Sequence, residues 1–310
     1  MKKDEVLFLS GPLKERIWGG KYFKDKLHLT QSEENIGELW SCSGHKEGES
    51  LILNGTYKGQ KLSTVFLNHK ELFNDSKLEE FPILVKLIST CDKLSVQVHP
   101  NDEYAKKNEN QYGKTEGWLI LDSKEDSSIV VGHNAKNKDE LIECIKNDDY
   151  SHLLNEIKVR NGDFYPIPSG TIHALGKNLV LLEVQQSSDV TYRFYDYHRK
   201  DKNGNERPLH IDKAIDVTNF EKYNMNINNI ETLNSPVLWT NQYFEVYYYD
   251  IKASLDLVKG SEYLICSVVE GELIVLGEKQ TLGQSFILTS ICKEVRIKGK
   301  GKLIITKSLI

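Results

Sequence analysis

The stretch "KLISTCDKLSVQVHPNDEYAKK", Lys86 to Lys107, decides the fold. Its centre alternates. Successive strand side chains point to opposite sides, so Ser95, Gln97 and His99 share one face and Leu94, Val96 and Val98 the other. Pro100 stops the strand. "PNDEYAKK" then opens a helix, with Asp102 and Glu103 in the first turn, where acidic groups suit the helix dipole. A strand buried only for packing turns its polar face to water. A polar face of Gln and His two residues apart, halted by proline, also forms half of a metal site.

Working outward, short apolar runs recur between turn signals, among them "LVKLIST", "GWLILDS", "SSIVVGH", "LVLLEVQQ", "FEVYYYDI", "QSFILTS" and "KLIITKS". That spacing predicts a mainly β chain of the sandwich or barrel type. Two stretches carry apolar residues at the helical period, "STVFLNHKELFNDSKLEE" (63–80) and "NKDELIECIKNDDYSHLLNEI" (137–157). Asn137 is a candidate N-cap for the second, and "RPLHIDKAIDVTNF" (207–220) is a weaker third helix. The polar stretch "EKYNMNINNIETLNSP" (221–236) marks a boundary. Residues 1–235 are expected to carry the site, and 236–310 to form a metal-free β domain.

"GDFYPIPSGTIHAL" (162–175) has a faint echo in "GQSFILTSICKEV" (283–295), with Thr289 and Ser290 in place of Pro168 and Ser169 and no histidine. Such a repeat predicts two related β-barrels, one with a site and one without.

The whole chain narrows the function. At 310 residues it exceeds the usual single domain. A net charge of −5 argues against nucleic acid as the main partner and leaves room for a local basic pocket that binds a small anion. No apolar run reaches the length of a membrane span, and "MKKDEVLFLSG" lacks the apolar segment of a signal peptide. Cytoplasm is the expected location. The five cysteines are scattered without a CxxC pair, so they read as reduced structural thiols. Oligomeric state is not readable.

In 162–175, Pro168 and Gly170 make a tight turn, and the following strand aims His173 back toward the chain's interior. A lone histidine after a turn is often structural, but this spacing resembles the second signature motif of the cupins, small double-sheet barrels. The partner motif of that superfamily has two histidines two apart and then a glutamate; Gln97 and His99 hold the first two places. Glu103 stands at the general spacing but falls in a helix start. Glu116, in "GKTEGWLILD", enters a new strand with Lys114 on its own face, and a strand-borne carboxylate is the better-placed ligand.

Taken in order, "ERIWGG" (15–20), "IGELWSCSGH" (36–45), "PILVKLIS" (82–89), "LSVQVHPND" (94–102), "KTEGW" (114–118), "PIPSGTIHAL" (166–175) and "QQSSDVTYRFYDY" (185–197) resemble the motifs of type I mannose-6-phosphate isomerases in their short bacterial form. The resemblance runs from the N-terminus to about residue 220. It implies two cupin-like jelly-roll barrels with a few inserted helices, and one zinc ion per chain held by Gln97, His99, Glu116 and His173. Two imidazoles, an amide and one carboxylate leave zinc with net positive charge, a Lewis acid rather than a closed cysteine-rich structural site.

The chemistry implied is interconversion of mannose 6-phosphate and fructose 6-phosphate through an enediol(ate). It requires a base, stabilisation of oxyanion charge, and cations for the phosphate. Arg193 resembles the family's active-site arginine, and Lys114 can bring positive charge to the sugar oxygens. Lys86 and Ser95 resemble its phosphate contacts, and a lysine inside "ILVKLIS" is costly to bury without an anion. Glu183, a carboxylate within "LVLLEVQQ", is either a site member or a paired structural group. The base stays open among metal-held water, His99 and Glu183. Trp18 and Trp40 shape the pocket or pack the core. A cupin that binds a sugar phosphate without turnover has little use for Lys114, Glu116 and Arg193 together. A cupin oxygenase would supply more histidines to a redox iron.

Overall fold

The alternation at 94–99 becomes a strand, Val96–Val98, in the computed structural model, which describes residues 4–32, 34–200 and 203–310. Residues 1–3, part of the stretch read above against a signal peptide, lie outside the described residues. The strand's polar face is the one turned inward. Val96 and Val98 pack on the outer side under helices, while Ser95 and His99 are buried. Leu94 departs from the alternation because pairing begins only at Val96. Its N–H donates to the Leu175 carbonyl, and its side chain joins the inner apolar cluster.

Among the described residues the ladders form three sheets. A five-stranded sheet runs in the order Tyr192–Tyr195, Val96–Val98, His173–Leu175, Ser128–His133, Leu154–Lys158. A seven-stranded sheet runs Asn228–Asn229, Asp163–Ile167, Glu116–Ser123, Leu179–Gln186, Ile83–Thr90, Ile36–Cys42, Leu13–Gly20. The third, of nine strands, contains the C-terminal strands together with Val6–Ser10 and Leu51–Ile52. The chain is mainly β, as expected. The ladders do not close on themselves: each is an open sheet, and the sheets stack.

The seven-stranded sheet is the middle layer. Ile83, Val85, Leu182 and Val184 on one face pack against Phe244, Val246, Ile265 and Ile304 of the nine-stranded sheet. Ile88, Trp118, Ile120 and Leu181 on the other face meet Ile129, Val131 and Leu175 of the five-stranded sheet. Burial on both faces explains why Ile83–Thr90 and Leu179–Gln186 are almost continuous apolar runs, and why every residue in them is buried. The outer face of the five-stranded sheet is covered by Leu141, Tyr150, Leu153, Ala214 and Ile215 from helices.

The helices are shorter than their periodicity predicts. The first expected stretch yields Leu62–Asn68 and a 3-10 turn at Lys70–Phe73, then stops where Asn74 and Asp75 take positive φ. The second forms Lys138–Lys146, with the Asn137 side chain accepting the Glu140 N–H at 3.0 Å. Asp148, at φ 56°, breaks it; after the short Tyr150–Leu153 helix the chain becomes the strand Leu154–Lys158. Ile211–Val217 is the third, and Asn101 caps Asp102–Glu109. No helix among the described residues is long and apolar enough to cross a membrane.

The ladders cross the expected boundary at 235/236. Val6–Ser10 pairs antiparallel with Ser285–Leu288, Leu7 opposite Ile287, so the N-terminus is stitched into the C-terminal sheet. The faint repeat is visible in three dimensions: Gly162 and Gly283 both take positive φ and lead into Asp163–Ile167 and Ser285–Leu288. In the second copy Thr289 and Ser290 serve as anchors. The Thr289 hydroxyl donates to the Asp4 carbonyl at 2.9 Å, and Ser290 Oγ accepts the Asn74 N–H at 2.6 Å.

Candidate metal centre

Register brings the candidate residues into one layer, between the five- and seven-stranded sheets. Arg193 lies opposite Gln97, and Gln97 opposite His173, so these three side chains form a row across neighbouring strands. His99 follows immediately after the strand, and its carbonyl accepts the Gly170 N–H at 2.8 Å. That bond ties the turn carrying His173 to the segment carrying His99. Gly170 sits at φ +85°, and an added Cβ would stand 3.0 Å from the Val217 carbonyl oxygen, so the turn needs glycine. From the facing sheet comes Glu116, the first residue of its strand, opposite Gln185 and Ile167.

The three titratable side chains converge. Glu116 Oε2 lies 3.5 Å from His99 Nε2 and Glu116 Oε1 lies 3.4 Å from His173 Nε2. The potential ligand atoms of His99, Glu116 and His173 all fall within 4.8 Å of one another, and all three residues are buried. Each ring's orientation is fixed from behind. His99 Nδ1 is 2.8 Å from the Val190 carbonyl oxygen and His173 Nδ1 is 2.8 Å from that of Thr171. A carbonyl only accepts, so both Nδ1 atoms carry the proton and both Nε2 lone pairs face Glu116. Burial, aided by the Lys114 ammonium, pushes the His99 pKa down to about 3; burial also lowers that of His173. Both rings are therefore neutral.

Glu116 is fully buried, and neither carboxylate oxygen has a hydrogen-bond partner. Burial works to raise its pKa, but Lys114 together with His99 and His173 outweighs that and holds the carboxyl well below its usual range. Lys114 Nζ stands 3.0 Å from Oε2 and 3.1 Å from His99 Nε2, an ion pair without a well-directed hydrogen bond to the carboxylate. Burial lowers the ammonium's pKa, and the carboxylates of Glu116 and Glu183 more than reverse this. Gln97 Nε2 is 3.3 Å from His173 Nε2. Two neutral imidazoles, an orphaned carboxylate and a nearby amide are a donor set that fits a divalent metal with one or more open positions. Glu103, by contrast, is exposed in the first turn of Asp102–Glu109.

A second group of charges sits beside this centre on the seven-stranded sheet. Lys86 is opposite Glu183, and its Nζ lies 2.7 Å from Glu183 Oε1 and 2.6 Å from Gln185 Oε1. The Trp118 indole donates to Glu183 Oε2 at 2.9 Å, so both oxygens of Glu183 are engaged. The Trp118 ring in turn meets the His173 ring edge-on, centroids 5.4 Å apart. Trp18 packs in the apolar cluster between the two sheets, and Trp40 donates to Glu38 Oε2 at 2.7 Å. Ser95 is buried. Arg193 donates to the Pro208 carbonyl at 2.9 Å and touches none of the three converging groups. Burial and the neighbouring Arg207 lower its pKa, and its Nε has no partner.

Sequence reasoning missed Glu38 and Gln185. Glu38 accepts Arg16 Nη2 at 2.8 Å as well as the Trp40 indole. Burial would raise its pKa, but Lys86 and Arg16 hold it down. The signal was present: "IGELWSC" embeds a carboxylate in an apolar strand just as "LVLLEVQQ" does. Also missed was the cluster at Asp196, which accepts Arg207 Nε at 2.7 Å and pairs with Arg199.

Comparison with known proteins points one way. Residues 6–152 match the model of the phosphomannose isomerase type I catalytic domain, and residues 236–308 that of the mannose-6-phosphate isomerase cupin domain. The mannose-6-phosphate isomerase of Streptococcus mutans is 39% identical over 98% of this chain and 98% of that protein. The mannose-6-phosphate isomerase ManA of Bacillus subtilis is 42% identical over 86% of each. A crystal structure of the mannose 6-phosphate isomerase from Bacillus subtilis superposes with a TM-score of 0.89 at 39% identity, covering 97% of this chain and 99% of that one.

Proposed function

This chain belongs to the type I phosphomannose isomerase family and has its mannose-6-phosphate isomerase activity; from that premise we propose that it works with one zinc ion, held by Gln97, His99, Glu116 and His173. The observation that carries the reading is the convergence of two Nε2 lone pairs on a buried carboxylate whose oxygens have no hydrogen-bond partner. Bound there, zinc supplies Lewis acidity toward the oxygens of the sugar.

The chain's own residues do the rest. Val190 and Thr171 carbonyls keep the ligand imidazoles in one tautomer. A proton leaves C2 of mannose 6-phosphate and returns at C1 through an enediolate, and negative charge grows on O1 and O2 as it moves. Lys114 and Arg193 are the cations assigned to that charge, where fixed donors lower the barrier most. Lys86 and Ser95 take the phosphate side of the substrate. An ammonium has three N–H donors; Lys86 gives two to Glu183 and Gln185 and keeps one for the ligand. Glu183 acts by holding Lys86. In this reading residues 1–235 carry the catalytic portion and 236–310 the metal-free β portion.

The test is an isomerase assay coupled to fructose 6-phosphate, with metal content measured on the same sample. Exhaustive chelation should abolish turnover, and stoichiometric zinc should restore it. Full turnover by protein verified to be metal-free would sink the proposal.

A further inference from the structure

Lys114 reaches for the same two atoms that a metal ion at this centre needs. Its buried Nζ lies 3.1 Å from His99 Nε2 and 3.0 Å from Glu116 Oε2. Because His99 Nδ1 faces the Val190 carbonyl, Nε2 has a single lone pair. That lone pair accepts one N–H or binds one cation, never both. A metal bound at about 2.0–2.1 Å from Nε2 would also press against the ammonium, cation to cation, in a buried layer where charge is poorly screened.

We infer that Lys114 is an exchangeable cation: it neutralises Glu116 until a metal seats, and metal binding then drives its ammonium off His99 and Glu116. The deepening rests on the metal reading above. Glu183, on the adjacent strand, and Glu38, farther across the same sheet, both attract the Lys114 ammonium, which gives it a destination on the substrate side. Lys86 faces the same carboxylates, lying 2.7 Å from Glu183 and near Glu38, so the two ammoniums would share that pair. Metal loading would in this way deliver a positive charge toward the sugar oxygens, and a protein without metal would keep that charge on Glu116.

The experiment compares wild type with Lys114→Met, full-length, by zinc affinity against a chromogenic chelator and by thermal melts with and without zinc. Exchange predicts that the variant melts lower than wild type only when metal-free, because Glu116 has lost its counter-ion. By linkage the same difference must appear as tighter zinc binding, on the order of tenfold or more. An equal loss of melting temperature in both forms, with affinity unchanged or weaker, means that Lys114 stays on Glu116 beside the metal and overturns exchange. A second measurement does not depend on the variant folding. Acetylation of wild-type Lys114, followed by mass spectrometry, should be several-fold faster with zinc bound; an unchanged or slower rate also overturns it. Failure of wild type to bind zinc at all defeats the metal reading instead.

Discussion

His99 and Glu116 show what a single residue must satisfy here. Each is buried, each belongs to a different sheet, and neither would persist in that layer as an isolated charge. On the proposed reading, Glu116→Ala should lose metal and turnover together, because it removes the one carboxylate of the candidate site. Glu103→Ala, on an exposed helical turn, should keep both; metal analysis and the coupled assay on the two variants decide it. The pair also marks how far the sequence can be read. Alternation in 94–99 and the Pro168, Gly170, His173 spacing expose ligand candidates because both are local patterns. The choice of Glu116 over Glu103 needed only a local argument too, since Asn101 begins a helix that carries Glu103 away. Glu38 was legible as a carboxylate in an apolar strand, but its partners, Arg16 and Lys86, were not, because the pairing of strands sets them.

At the level of the element, the same limit governs Lys86. The sequence shows a lysine in an apolar run; only the register that sets it opposite Glu183 shows how its charge is met. Lys86→Met should therefore lower stability by about 3–5 kcal/mol, the cost of stranding a buried carboxylate. The double variant with Glu183→Gln should recover most of that loss, since the amide oxygen can still accept the Trp118 indole. Urea denaturation of the three variants measures the coupling. Equal losses in the single and double variants would show that the ion pair is not what Lys86 contributes. The helix limits have a similar origin. Periodicity ran through 74 and 148, but left-handed residues there end the helices, and a free edge on Ser128–His133 draws Leu154–Lys158 into the sheet.

On the scale of the whole molecule, the open sheets stack so that the middle one is covered twice, and the first strand belongs to the last sheet. Leu7 is fully buried in the cluster shared by the seven- and nine-stranded sheets. Leu7→Ala should cost about 2–5 kcal/mol, measurable as a lower urea midpoint. A loss below 0.5 kcal/mol, the range of surface changes, would mean that the N-terminal strand is only loosely attached. Nothing local announces this pairing: "EVLFLSG" reads as a strand, and its partner lies near the other end of the sequence.

That stitch has a consequence for the order in which the protein can be made. Val6–Ser10 meets Leu51–Ile52 early, but its other edge has no partner until Ser285–Leu288 has been made. At about 5–20 residues per second, the VLFLS segment waits roughly 15–60 s with an apolar, unpaired edge. The residues of the candidate metal centre, all between 97 and 173, emerge well before that. The isomerase can thus assemble its chemistry early, while closure of its outermost sheet is deferred until Ser285–Leu288 has followed.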